Sequence, residues 1–227
     1  MNLVLPPLYA IIDSALLKTS ELAFAELMAE SGVELLQYRN KRASSRELFD
    51  VSLSISGKLS ALARPGVYTP HFIVNDRADI ALLVNAGGVH VGQEDLTVED
   101  ARAVVGPDRW VGVSTHSLEQ VDAAERTSAD YVAFGPIFLT SSKENPDPVV
   151  GLDLLREARR HTCKPIVAIG GITLERAADV FRAGADSLAV ARDLIASGDP
   201  AGRARSYLAE AARAGRDSGT TKAGPLP

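Results

Sequence analysis

Eight short apolar runs alternate with longer stretches rich in Ala and Leu, and most of the runs stop at a polar cluster. The runs are Leu8–Ile12, Val33–Leu36, His71–Val74, Gly88–Val91, Trp110–Val113, Asp130–Phe134, Pro165–Ile169 and Ser187–Val190. Runs of this length, bounded by turn residues, read as buried strands. Helices are expected between them at Glu21–Ser31, Ser45–Leu62, Ala78–Ala86, Thr97–Val105, Leu118–Arg126, Leu152–His161 and Leu174–Ala183, and two more, Ala191–Ser197 and Pro200–Ala214, follow the last strand. Ser20 stands where it can cap the first helix and Gly32 where it can end it. Strand–helix alternation with short connections makes parallel neighbours. Eight such units in about 215 residues fit a single α/β domain, a (β/α)8 TIM barrel. An open doubly wound sheet is the competitor, but it would carry a glycine-rich phosphate loop after its first strand. This chain has Asp13-Ser14-Ala15 there. The expected domain spans residues 1–214, and a tail over 215–227 with almost nothing to bury is expected to be disordered.

Composition narrows the partners. Of the 227 residues, 46% are hydrophobic, enough for one full core. No apolar run is long enough to span a membrane. The start, MNLVLPPLY, lacks the basic and long apolar regions of a signal peptide. The single cysteine, Cys163, allows no disulfide within the chain, and a cytoplasmic protein is expected. A net charge of −5 argues against broad nucleic-acid binding. Small-molecule substrates are the expected partners, and a homo-oligomer is compatible with the sequence.

In a barrel of this kind the chemistry sits after the strands, at one end. Gln37, Arg39 and Lys41 alternate, so a strand running on through them points all three the same way. Arg39 and Lys41 on one face would make an anion site; a solvated basic patch is the competing reading. Asn75 and Asp76 follow the third run, Gln93 and Asp95 the fourth, and Ser114 the fifth. Two carboxylates on adjacent strand ends suit a hard cation such as magnesium, although Asn75 or Asp76 could equally cap the next helix. Thr140, Ser141, Ser142 and Lys143 form a hydroxyl-rich loop with one lysine, the groups that hold phosphate. Gly170-Gly171 and Ala191-Arg192 follow strands seven and eight, where barrels often bind a phosphate. His116 reads as an orienting or packing residue, and Cys163 and Trp110 lie at the opposite end. A diphosphate with a metal ion at one half of the mouth and a monophosphate at the other is the economical reading. It implies group transfer from a diphosphate leaving group.

The motifs LYAIID, QYRNK, NDRADIAL, GGVHVGQEDL, GVSTHS, GPIFLTSSK, PIVAIGGI and GADSLAV occur in one order over about residues 8–196. In this the chain resembles the thiamine-phosphate synthase family. The resemblance implies a magnesium-dependent barrel enzyme with one Mg2+ per subunit. It would join 4-amino-2-methyl-5-(diphosphooxymethyl)pyrimidine to a thiazole ethyl phosphate, carboxylated in many organisms. Thiamine phosphate and diphosphate are released through a dissociative pyrimidine-cation mechanism. Carried over by position, Gln37, Arg39, Lys41, Asn75, Ser114 and Lys143 would hold the pyrimidine diphosphate, with Arg39, Ser114 and Lys143 as the catalytic group. Tyr38 and Asn40, within the same motif, count with the substrate-binding group. Asp76 and Asp95 would bind magnesium; Thr140 to Ser142, Gly171, Ala191 and Arg192 would bind the thiazole phosphate. The chain departs from the family pattern at Leu139 (usually proline), Ser142 (usually threonine), Asn40 (commonly glutamate) and Ala191-Arg192, where a small hydroxyl residue is usual. Three rivals remain: a thiazole tautomerase relative of the same fold, another phosphate-handling barrel, and a non-catalytic sensor of thiamine precursors.

Overall fold

The computed structural model describes residues 3–62, 69–140 and 148–218, with side chains to Gly215. Its strands are β1 (Leu8–Asp13), β2 (Leu35–Arg39), β3 (His71–Asn75), β4 (Gly88–Val91), β5 (Trp110–Thr115), β6 (Tyr131–Phe134), β7 (Ile166–Ile169) and β8 (Ser187–Val190). Helices α1 (Glu21–Glu30), α2 (Ser45–Ala61), α3 (Ala78–Leu83), α4 (Val98–Val105), α5 (Leu118–Glu125), α6 (Gly151–His161) and α7 (Leu174–Arg182) separate them; α8 (Arg192–Ile195) and α9 (Pro200–Ser218) close the chain. All strand pairs are parallel and the sheet closes on itself, β8 pairing with β1. This is the TIM barrel expected from the alternation. The last helix runs to Ser218, four residues into the expected tail, and residues 219–227 lie outside the described residues.

The strands carry two cores because their side chains alternate. One set, including Leu8, Ala10, Ile12, Leu36, Tyr38, Val74 and Val132, packs outward against the helices. The other, including Tyr9, Ile11, Leu35, Ile73, Tyr131, Val167 and Ala189, fills the lumen. Four strands, β1, β2, β3 and β5, extend further toward the mouth than their apolar runs suggest. Inward alternation explains it: Asp13, Gln37 and Arg39, Asn75, and Ser114 continue the lumen-facing rows. Gly57 does not interrupt α2; it stands on the exposed side with nothing near its missing Cβ.

The helix starts follow the sequence signals. Ser20 accepts a hydrogen bond from the Ala23 amide, and Gly32, just past the end of α1, has a φ of +89°. Thr97 accepts from the Asp100 amide at 3.1 Å, and its own hydroxyl donates to the Asp100 carboxylate at 2.6 Å. Thr97→Ala should therefore cost about 1 kcal/mol, read as a lower denaturant midpoint at unchanged slope. At the chain's end, Asp193 joins three helices. It accepts from the Leu174 amide, from Arg203 at 2.8 and 2.9 Å, and from the Tyr207 hydroxyl at 2.7 Å.

Candidate active site

The mouth is built from the C-terminal strand ends. β2 brings Gln37 and Arg39 into the lumen-facing row that begins at Leu35. Arg39 is fixed by Asp13 at the end of β1: Nη1 lies 2.6 Å from Oδ2. Asp13 is nearly buried, and its other oxygen accepts from the Ala15 amide at 3.0 Å. The guanidinium is thus held in one place before any ligand arrives. Asp13→Asn removes the charge behind it. The expected result is a KM for an anionic substrate raised about tenfold, with the fold retained, measured by steady-state kinetics.

Tyr38 and Asn40 do not share this face. Tyr38 is fully buried in the outer core, with its hydroxyl near Ser14 and Asn40. The Asn40 side chain accepts from the amides of Arg42 and Ala43, so it shapes the turn after β2. The QYRNK motif groups both with the substrate-binding residues, but alternation along β2 turns them away from the mouth.

Lys41 reaches across to Asp76, its Nζ 3.0 Å from Oδ2. Asp76 does not cap α3. Arg77 precedes the first residue of that helix and gives it no side-chain cap; it turns outward to Asp79 and Ser45. Asp76 has a φ of +62°, a backbone state that aspartate tolerates better than most residues. Its amide donates to the His90 carbonyl at 2.8 Å, which ties the end of β3 to β4. The Asp95 carboxyl lies within hydrogen-bonding reach of Asp76, and also accepts from the Gly92 amide at 2.7 Å. Burial first, and Asp95 second, hold the Asp76 carboxyl above its ordinary pKa, against the pull of Lys41. Two crowded carboxyls, both oxygen donors, suit a hard divalent cation. Among the described residues no group of three or more His, Cys, Asp or Glu side chains forms a metal cluster. A cation here would draw its remaining ligands from substrate oxygens and water.

Ser114 completes this half of the mouth. It ends the inward row of β5, half-buried, with its Oγ 3.0 Å from His90 Nε2. Gln93 donates to the Ser114 carbonyl at 2.6 Å. His116, just beyond, has its Nδ1 2.6 Å from the Gly135 carbonyl and its amide on Gln120, so its ring is oriented by the end of β6.

The other half of the mouth joins β7 to the loop after β6. Ile137 and Phe138 donate their amides to Ile169 and Gly170. A Cβ on Gly171, whose φ is +62°, would lie 2.5 Å from the Leu139 carbonyl. Only glycine lets these backbones touch. The contact brings Gly171 beside the start of the Thr140 loop, two features far apart in sequence. Ser141, Ser142 and Lys143 lie outside the described residues. Ala191 ends the lumen row of β8. Arg192 lines a cavity of about 740 Å3 with Leu16, Lys18, Phe24 and Ile195, and none of Gln37, Asp76 or Ser114 borders it.

The chain matches the thiamine monophosphate synthase family over residues 8–194. It belongs to that family. The thiamine-phosphate synthase of Koribacter versatilis is 50% identical over 212 residues, covering 91% of this chain and 96% of that one. That of Chloroflexus aurantiacus is 43% identical, covering 89% and 91%. A solved thiamine phosphate pyrophosphorylase from Pyrococcus furiosus superposes with a TM-score of 0.81 at 31% identity, over 92% of this chain and 96% of its own. The resemblance carried by the eight motifs is thus a family relationship, and the chain is an enzyme, a transferase. Among the described residues no helix is long and apolar enough to cross a membrane.

Proposed function

We propose that this family member is a thiamine-phosphate synthase. It would condense 4-amino-2-methyl-5-(diphosphooxymethyl)pyrimidine with a thiazole ethyl phosphate, giving thiamine phosphate and diphosphate. The observation that carries the reading is the convergence of Gln37, Arg39, Lys41, Asn75, Asp76, Asp95 and Ser114 on the ends of four adjacent strands. Cations, amides, a hydroxyl and a carboxyl pair are the groups that a diphosphate leaving group needs.

In the reaction the bond from the pyrimidine methylene to the diphosphate oxygen breaks, and the electron pair leaves with diphosphate. The thiazole nitrogen then forms the new bond to the methylene carbon, with loss of CO2 when the thiazole is carboxylated. Arg39, pre-set by Asp13, and Lys41 bind the departing diphosphate with Lys143, and Ser114 donates to it. Gln37 and Asn75 orient the pyrimidine. Asp76 and Asp95 would hold magnesium, which would supply positive charge against the charge developing on diphosphate. Gly171, Thr140, Ala191 and Arg192 would bind the thiazole phosphate; Ser141 and Ser142, which lie outside the described residues, are assigned to it by the motif alone.

The test is diphosphate release from purified protein with the pyrimidine diphosphate and each thiazole phosphate, carboxylated or plain, with and without magnesium. Release is expected only with both substrates and magnesium together. Tautomerisation of the thiazole without condensation would overturn the reading.

A further inference from the structure

A row of hydrogen bonds crosses the lumen from Gln37 to Ser114. Gln37 Nε2 donates to the Tyr9 hydroxyl at 2.8 Å. The Tyr9 and Tyr131 hydroxyls are 3.0 Å apart. The Tyr131 hydroxyl is 3.2 Å from His90 Nδ1, and His90 Nε2 is 3.0 Å from Ser114 Oγ. Five strands contribute one residue each. Gln37, Tyr9, Tyr131 and His90 are all buried.

The protons in this row are not independent. Each phenol has one proton and, in the row, a neighbour on both sides, so it donates once and accepts once. With Gln37 donating, Tyr9 donates to Tyr131, and Tyr131 donates to His90 Nδ1. That nitrogen is then the acceptor, the imidazole proton sits on Nε2, and Ser114 Oγ accepts it. The Ser114 proton is left to point into the mouth. Turning the Gln37 amide over reverses every bond. Ser114 would then donate inward and show only lone pairs to a ligand. Burial, first among its causes, raises the pKa of both phenols, so both keep their protons.

The lumen is cut to admit this row. A Cβ on Gly112 would fall 2.1 Å from Tyr131 Cζ. The Tyr131 ring stacks on His90 at 5.6 Å between centroids and meets Tyr9 edge-on at 6.1 Å.

We propose that Tyr9, Tyr131 and His90 are positioning residues, a proton-ordered chain that sets Ser114 as a donor according to how Gln37 is turned. A serine locked as a donor suits an anionic diphosphate, and that consequence rests on the proposed function. Two strand ends on opposite sides of the lumen would then present complementary polarity to one substrate without touching each other.

The test reads the tautomer of His90 in full-length protein labelled with 15N-histidine, the four histidine signals being assigned by single substitution. In the unmutated protein Nδ1 should be the bare nitrogen and Nε2 the protonated one. In Gln37→Glu, a carboxylate kept ionised by the adjoining inward Arg39 accepts from Tyr9, the order reverses, and the proton should move to Nδ1. With Tyr131→Phe present, Gln37→Glu should no longer change the tautomer. The opposite tautomer in the unmutated protein, or no response to Gln37→Glu, overturns the proposal. If the glutamate variant does not fold, kinetics decide. Tyr131→Phe should lower kcat about tenfold, the worth of one oriented hydrogen bond, and do almost nothing when Ser114→Ala is already present. Equal losses in both backgrounds overturn it. Failure of the unmutated protein to condense the substrates would remove the proposed function and leave the tautomer measurements standing.

Discussion

Asp76→Asn is expected to lower condensation turnover about a thousandfold while the thermal unfolding midpoint stays nearly unchanged. Asparagine keeps the size of the side chain and, like aspartate, tolerates a φ of +62°. It removes the charge that faces Lys41 and Asp95. The Lys41 pair is half-exposed on the lysine side, so its loss costs little stability. Alanine would be a poorer probe, because it adds backbone strain to the loss of charge. Diphosphate release should collapse, while calorimetry should still show the thiazole phosphate binding at the far half of the mouth. Unchanged turnover would falsify the role given to the carboxyl pair. Loss of thiazole phosphate binding as well would show damage beyond Asp76.

Gly112→Ala should be among the most damaging single methyl groups that the lumen could receive. The added carbon would overlap the Tyr131 ring at 2.1 Å, far inside contact distance. Tyr131 is fully buried and hydrogen-bonded at its tip, so it has no free direction to move. Overpacking of this kind costs about 3 kcal/mol. In a domain of this length that is a fall in melting temperature of roughly 6–12 °C. Tyr131→Ala in the same chain removes the collision. The double variant should therefore lose clearly less stability than the two single losses added together. Strict additivity would mean that the ring is not what the glycine accommodates.

The limits of the eight strands were readable where an apolar run and its turn residues coincide, as at β4 and β8. At β2 and β5 the apolar run ends before the strand does, because polar residues there belong to the strand. Gln37, Arg39 and Ser114 continue an inward row that hydrophobicity alone cuts short. Asp76, Asp95 and Gly171 are singled out in the sequence because each follows an apolar run within four residues. Asp13 has the same signal, yet its job depends on Arg39 in the next strand, and nothing in either segment announces the pair. Tyr9, Tyr131 and His90 were still less visible. Period-two alternation gives the face that a residue occupies, but not which residues of distant strands meet inside the lumen. His90 lies in the GGVHVGQEDL motif and Tyr131 in none of the eight, and they meet only when β4, β5 and β6 assemble.

Closure itself sets an order of events during synthesis. The seam between β1 and β8 joins the beginning of the chain to its last strand. The Asp193 junction then adds α9. Asp13, which fixes Arg39, stands on β1, and that strand has one edge open until β8 arrives. A nascent chain stalled before β8 therefore holds Arg39 and Asp76 but carries two unpaired strand edges, the state most exposed to misassociation. The barrel becomes a ring only when β8 has been made.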